Sequence, residues 1–102
     1  MKAVKVEYIV QDHYIATNKE NIRKVMDAIK ANPVEGMFYS SYTDKDNPAK
    51  FIHINMAANA EVMSKLNNIP EFTDFRMALK ASQPVQSPKQ TTLELVGAGF
   101  EM

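Results

Sequence analysis

The chain has no cysteine, and that one absence removes disulfides, thiolate metal sites and Cys nucleophiles together. Tryptophan is missing as well. No stretch approaches the ~20 apolar residues that a membrane span needs. Neither sign of charge is in excess: 12 Lys and Arg balance 12 Asp and Glu. A phosphate backbone is held by a cationic surface, so nucleic acid is not an expected partner. The two histidines, His13 and His53, stand forty residues apart and make no metal-ligand spacing. There is no phosphate loop and no GxSxG. Gly97-Ala98-Gly99 has no helix after it to bind a dinucleotide phosphate. No strand has the aromatic-basic pattern of an RNA-recognition module. No internal repeat or low-complexity tract is present. The opening Met1-Lys2-Ala3-Val4-Lys5 lacks an apolar run with a cleavage site, so no signal peptide is expected and a cytoplasmic location follows by default.

What is present is globular in character. Apolar residues make up 45% of the 102 residues, with five Phe and four Tyr. That length suits one domain over residues 1–102, burying roughly 60–70% of its unfolded surface.

The patterning is clear along most of the chain. Residues 3–10 alternate, with Val4, Val6, Tyr8 and Val10 on one side and Lys5 and Glu7 on the other, which predicts a strand. Thr17 and Glu20 have capping-box spacing, and Ile22, Val25, Met26 and Ile29 follow helical spacing, so a helix is expected over 18–31. Asn32-Pro33 stops it. Gly36 opens a second strand, MFYSSYT. The turn Asp44-Lys45-Asp46-Asn47-Pro48 leads to a third strand over 51–56. Asn59 caps a second helix carrying Val62, Met63, Leu66 and Ile69. Pro70 interrupts it, and Phe72, Phe75 and Leu79 continue its apolar side to about Ala81. Residues 82–90 hold two Pro and no apolar pattern, so they are expected to form a loop before a last strand over 91–96.

The order βαββαβ implies a ferredoxin-like α+β fold. Right-handed crossovers give an antiparallel sheet of order 4-1-3-2 with both helices on one face. Val4/Val6/Tyr8, Ile52/Ile54/Met56 and Leu93/Leu95 are the purely apolar sides, and they are expected under the helices. The opposite face then carries Lys5, Glu7, Ile9, Phe51, His53, Asn55, Thr92, Glu94 and Val96. Such a mixed face predicts a homodimer formed through the open side of the sheet.

Several features resemble the dimeric α+β-barrel proteins of the antibiotic biosynthesis monooxygenase type. They are Pro33-Val34-Glu35-Gly36 before the second strand, Phe38-Tyr39, Phe51, Asn59-Ala60-Glu61, and Pro70-Glu71-Phe72-Thr73-Asp74-Phe75. The resemblance spans nearly the whole chain. It implies a dimeric α+β barrel and, as one activity of this fold, cofactor-independent oxygenation. The fold also hosts isomerases, haem-degrading enzymes and proteins with no known reaction. The haem-degrading relatives use an Asn, a Trp and a His; this chain has no Trp and no His after the third strand.

The leading expectation is a small-molecule site between sheet and helices, without a cofactor, acting as a monooxygenase or isomerase on an aromatic or enol substrate. His53 is the candidate base, with Glu7 or Glu94 expected beside it. Tyr39 is the candidate hydroxyl donor and Arg76 the candidate anion clamp. Each has a plainer reading. His53 can be a satisfied structural histidine, Tyr39 and Tyr42 ordinary packed aromatics, and Arg76 a stem laid on the core with its head in water. His13 reads as a solvated loop residue, and the seven Met as gap-filling. The rival function is a non-enzymatic homodimer that binds a metabolite or a protein.

Overall fold

The computed structural model describes residues 1–101. Alternation of Val4, Val6 and Tyr8 produces β1 (Lys2–Ile9). A short 3-10 turn, Asp12–Tyr14, then runs straight into α1 (Ile15–Ala31). The capping box at Thr17 does not form. Tyr14 N–H is already bonded to the Gln11 carbonyl at 2.9 Å, so the chain is helical before Thr17 is reached. The inward stripe of α1 is Ile15, Asn18, Ile22, Val25 and Ile29, and Asn18 and Val25 are fully buried on it.

A turn at Val34–Met37 reverses the chain. Gly36 has φ +80° and Met37 N–H reaches the Val34 carbonyl at 3.2 Å, so Gly36 occupies the third turn position, where a side chain would be strained. β2 (Met37–Asp44) and β3 (Asn47–Ala57) follow as a hairpin. β3 starts four residues before its sequence pattern does, because the ladder is irregular between Thr43 and Asp44 and Pro48 falls inside that irregularity. Asn59 caps α2 (Ala60–Ser64) as expected, its side chain accepting from Val62 N–H at 2.9 Å. After a 3-10 turn over Lys65–Asn68, Pro70 supplies the first residue of α3 (Pro70–Ala81).

The last strand is β4 (Gln86–Leu93), displaced toward the N-terminus of the residues expected. It pairs only with β1, at the edge of the sheet, and buries too little for an apolar alternation to show. The register of β1 against β4 shifts between Glu7 and Ile9, which accommodates Pro88. The sheet order, β2-β3-β1-β4, is the expected one read from the other edge, and every pairing is antiparallel. The α+β ferredoxin-like fold is therefore as the sequence implied.

One assignment is reversed. Val6 pairs with His53 and Tyr8 with Phe51, and directly paired residues point to the same side of a sheet. Phe51, His53, Asn55 and Ala57 therefore lie under the helices, and Ile52, Ile54 and Met56 lie on the open face. Leu93 and Leu95 are not beneath the helices either: both are exposed, and Leu95 lies beyond the strand. Both alternating sets of β3 contain apolar side chains, so apolarity alone does not fix the phase. Hydrogen bonding does, because the helix side supplies partners for His53. The core beneath the helices is Tyr8, Val10, Val25, Ala49, Phe51, Phe75 and Leu79.

Candidate functional site

Between the sheet and the α2–α3 segment lies a cavity of about 850 Å³. Val4, Val6 and Tyr8 of β1, Tyr39 of β2, and His53 and Asn55 of β3 form its floor. Met63, Leu66, Phe72, Phe75 and Leu79 form its roof, and Ser87, Pro88 and Gln90 of β4 close one side. Its charged side chains are Arg76 and Lys80, one helical turn apart on α3, and no carboxylate lines it. A cavity of this size, mostly apolar with a few convergent polar groups, is the common form of a small-molecule site.

His53 is 4% exposed and sits at the centre of a network reaching three strands and α1. Its direct cross-strand neighbours are Val6 and Ser41, and Tyr8 and Tyr39 reach it diagonally. Asn18 Nδ2 donates to Tyr8 Oη at 2.9 Å. That leaves the Tyr8 hydroxyl proton to go to His53 Nε2, 2.8 Å away. The neutral ring then carries its proton on Nδ1, with Tyr39 Oη at 2.9 Å and Ser41 Oγ at 2.5 Å to accept it. Left unbonded at this depth, each polar group would cost about 1–3 kcal/mol. The network is thus the condition for placing a histidine in the core.

Aromatic packing fixes the imidazole as firmly as the hydrogen bonds do. Tyr8 and Tyr39 stack on it at centroid distances of 5.4 and 5.8 Å, and Phe75 leans against it at 5.5 Å. Phe72 meets Tyr39 edge-on at 6.2 Å. Burial pushes His53 down to about 4, so it is uncharged at neutral pH. Burial also raises the Tyr8 and Tyr39 hydroxyls above their ordinary value, partly opposed at Tyr8 by the bond from Asn18 and at Tyr39 by Ser41. At neutral pH the whole network is uncharged and can only pass protons along hydrogen bonds.

The structure brings His53 and Tyr39 together and leaves Arg76 at the rim, its guanidinium carbon 5.6 Å from the Phe72 ring centroid. No carboxylate stands beside His53. Glu7 is on the open face, 3.1 Å from Lys5 and 3.7 Å from Lys50, and Glu94 lies past the end of β4. His13 is exposed on the 3-10 turn, and Tyr42 is exposed on the open face; neither lines the cavity. Sequence reasoning missed Tyr8, Asn18 and Ser41. Asn18 had a legible signal, since it is the one polar member of the helix stripe Ile15–Ile22–Val25. Asn55 adds a buried side-chain oxygen with no partner on the cavity floor. Among the described residues no three His, Asp or Glu side chains converge as metal ligands.

No family model and no curated protein sequence matches the chain. Solved structures do match. One, an antibiotic biosynthesis monooxygenase, superposes with a TM-score of 0.79 over 95% of this chain and 100% of its own, at 15% identity. The chain has the antibiotic biosynthesis monooxygenase fold. Another protein of that type, from Deinococcus radiodurans, is 20% identical with a TM-score of 0.77, covering 100% of this chain and 99% of its own. SnoaB, a cofactor-independent oxygenase from Streptomyces nogalater, has the same monooxygenase fold, with a TM-score of 0.73 at 11% identity over 98% of this chain and 97% of its own. Identities this low establish shared architecture and leave the chemistry to the site itself. No helix among the described residues is long and apolar enough to cross a membrane.

Proposed function

We propose that the cavity binds a planar aromatic or enol substrate and that the His53 network removes a proton from it, in cofactor-independent monooxygenase or isomerase chemistry. One observation carries this reading: an uncharged imidazole, hydrogen-bonded at both nitrogens to hydroxyl groups, forms part of the wall of a large aromatic cavity. Both nitrogens are covered, so His53 acts through a hydroxyl. Tyr8 lines the cavity, and its hydroxyl is the group that meets the substrate in this reading, with His53 as the base behind it. Tyr39 supplies a second hydroxyl. Arg76 holds developing negative charge at the rim. Dioxygen is the oxidant in the oxygenase form: the substrate anion gives up electrons and oxygen accepts them. The fold shared with a cofactor-independent oxygenase supports this form.

We also propose a cytoplasmic homodimer joined through the open sheet face. Phe38 and Tyr42 are 50% and 55% exposed there, beside Ile52, Ile54 and Met56. A stable pairing would bury at least ~1,200 Å² in total. Light scattering should return a dimer for the wild type and a monomer for Phe38→Asp. A wild-type monomer at micromolar concentration would remove this pairing.

The rival reading, a metabolite binder without turnover, draws on the low basicity of His53 and on a network complete enough to be purely structural. Oxygen uptake and product analysis with a panel of quinols and phenols separate the two. Uptake with product supports the enzyme. Thermal stabilisation by a panel member without turnover supports the binder.

A further inference from the structure

Ser41 belongs to two places at once. Its Oγ lies 2.5 Å from His53 Nδ1. It also lines a second cavity, of about 210 Å³, together with Lys19, Ile22, Tyr42, Thr43 and Phe51. The two cavities have no lining residue in common. Lys19, Tyr42 and Thr43 are exposed, so the smaller one opens to water. His53 thus stands between a large cavity reached through Tyr8 and a small wet one reached through Ser41.

We propose that Ser41 is the solvent port of the His53 network: a proton taken up through Tyr8 leaves the ring through the Ser41 hydroxyl into the second cavity. This rests on the reading of His53 as a base. The need is physical. A substrate filling the main cavity displaces its water, and a base enclosed behind that substrate turns over only if its proton has another way out. Tyr39 is no exit while substrate is bound, because it lines the same main cavity. Burial disfavours a lasting imidazolium, and neither cavity lining contains a carboxylate that would trap the proton. Arg76 and Lys80 at the main cavity add positive charge that further disfavours keeping the proton on the ring.

The transfers balance without any redox change. The substrate proton goes to Tyr8 Oη as the Tyr8 proton goes to His53 Nε2. The Nδ1 proton goes to Ser41 Oγ as the Ser41 proton goes to water. The ring is left as its Nε2–H tautomer. When the product has left and water re-enters the emptied cavity, the Nε2 proton goes to Tyr8 Oη as the Tyr8 proton goes to that water, and Nδ1 takes the Ser41 proton as Ser41 takes one from the second cavity.

Exchange of the His53 ring proton with water tests this without a substrate, in a Tyr39→Phe background that removes the other hydroxyl at Nδ1. It is read by NMR on protein carrying isotope-labelled histidine. In Ser41→Ala, exchange has to wait for an opening that breaks a hydrogen bond, so it should slow about tenfold. Ser41→Thr, which keeps a hydroxyl, should restore it to within about twofold. Unchanged or faster exchange in folded Ser41→Ala overturns the port. If that variant does not fold, Thr43→Phe decides: it fills the second cavity, and slowed exchange supports the port while unchanged exchange overturns it. The two readings fail separately. Slowed exchange in Ser41→Ala with full turnover in His53→Gln keeps the port and removes the base. The converse pair of results keeps the base and removes the port.

Discussion

The two faces of the sheet are built by the same four strands and handle polarity in opposite ways. On the helix side the polar groups are neutral and bonded to one another: His53, Tyr8, Asn18, Tyr39 and Ser41. On the open side they are charged and meet water, with Glu7 held between Lys5 and Lys50. A charge taken out of water costs several kcal/mol, so the covered face can hold a titratable side chain only in its uncharged form. That restriction keeps His53 a neutral, hydrogen-bonded imidazole and leaves Glu7 a surface ion pair. Burial, more than residue type, separates the two roles.

The largest expected effect tests whether the covered network is chemical. His53→Gln keeps a hydrogen-bonding side chain and removes the base, so turnover per folded molecule should fall roughly 10²–10⁴-fold. His13→Gln, on the exposed turn, should leave it unchanged. Wild-type turnover in a folded His53→Gln protein would reduce the covered face to packing.

Packing itself gives the next contrast. Phe75 is 5% exposed and touches both His53 and Phe72, so Phe75→Ala should cost about 3–5 kcal/mol in urea unfolding. Phe38→Ala, on the open face, should cost the isolated subunit less than about 1 kcal/mol. Equal losses would mean that the faces do not differ in burial.

Acid separates the faces further. His53 titrates at about 4 in the folded protein and near 6.5 unfolded, so below 6.5 the unfolded chain binds the extra proton first. Stability should therefore fall as pH drops from 6.5 to about 4 and level off below, by about 3 kcal/mol in all. His53→Gln should flatten that window. Glu7 acts lower down: Lys5, then Lys50 and Lys89, hold its carboxyl below the usual range, and its contribution is present above 4.5 and lost as pH falls through the folded value. Unfolding followed against pH in both proteins checks the two windows. The smallest effect is Lys5→Ala, which removes a solvent-screened ion pair and should leave the urea midpoint nearly unchanged.

The fold was legible because strand and helix periods survive in five of its elements, and because Asn32-Pro33, Asn59 and Pro70 punctuate the chain where the structure turns. β4 was misplaced because an edge strand with little to bury carries no apolar rhythm. The site was half legible. His53 and Tyr39 stood out by residue type, but their face was misread because Ile52, Ile54 and Met56 look more like core than Phe51, His53 and Asn55 do. The deciding term was pairwise hydrogen bonding across distant segments. The Tyr8–His53 contact spans forty-five residues, and no local pattern encodes it.

β4 has a consequence for how copies of this chain can gather. Its outer edge is a row of backbone groups of the kind that recruits strands from other molecules without limit. Pro88 withholds one donor from the strand, the irregular register bends it, and Lys89 adds charge. Growth of the sheet past β4 is thereby blunted. A face that meets its own copy about a two-fold axis, by contrast, is finished after one partner, where an edge would go on into a fibre.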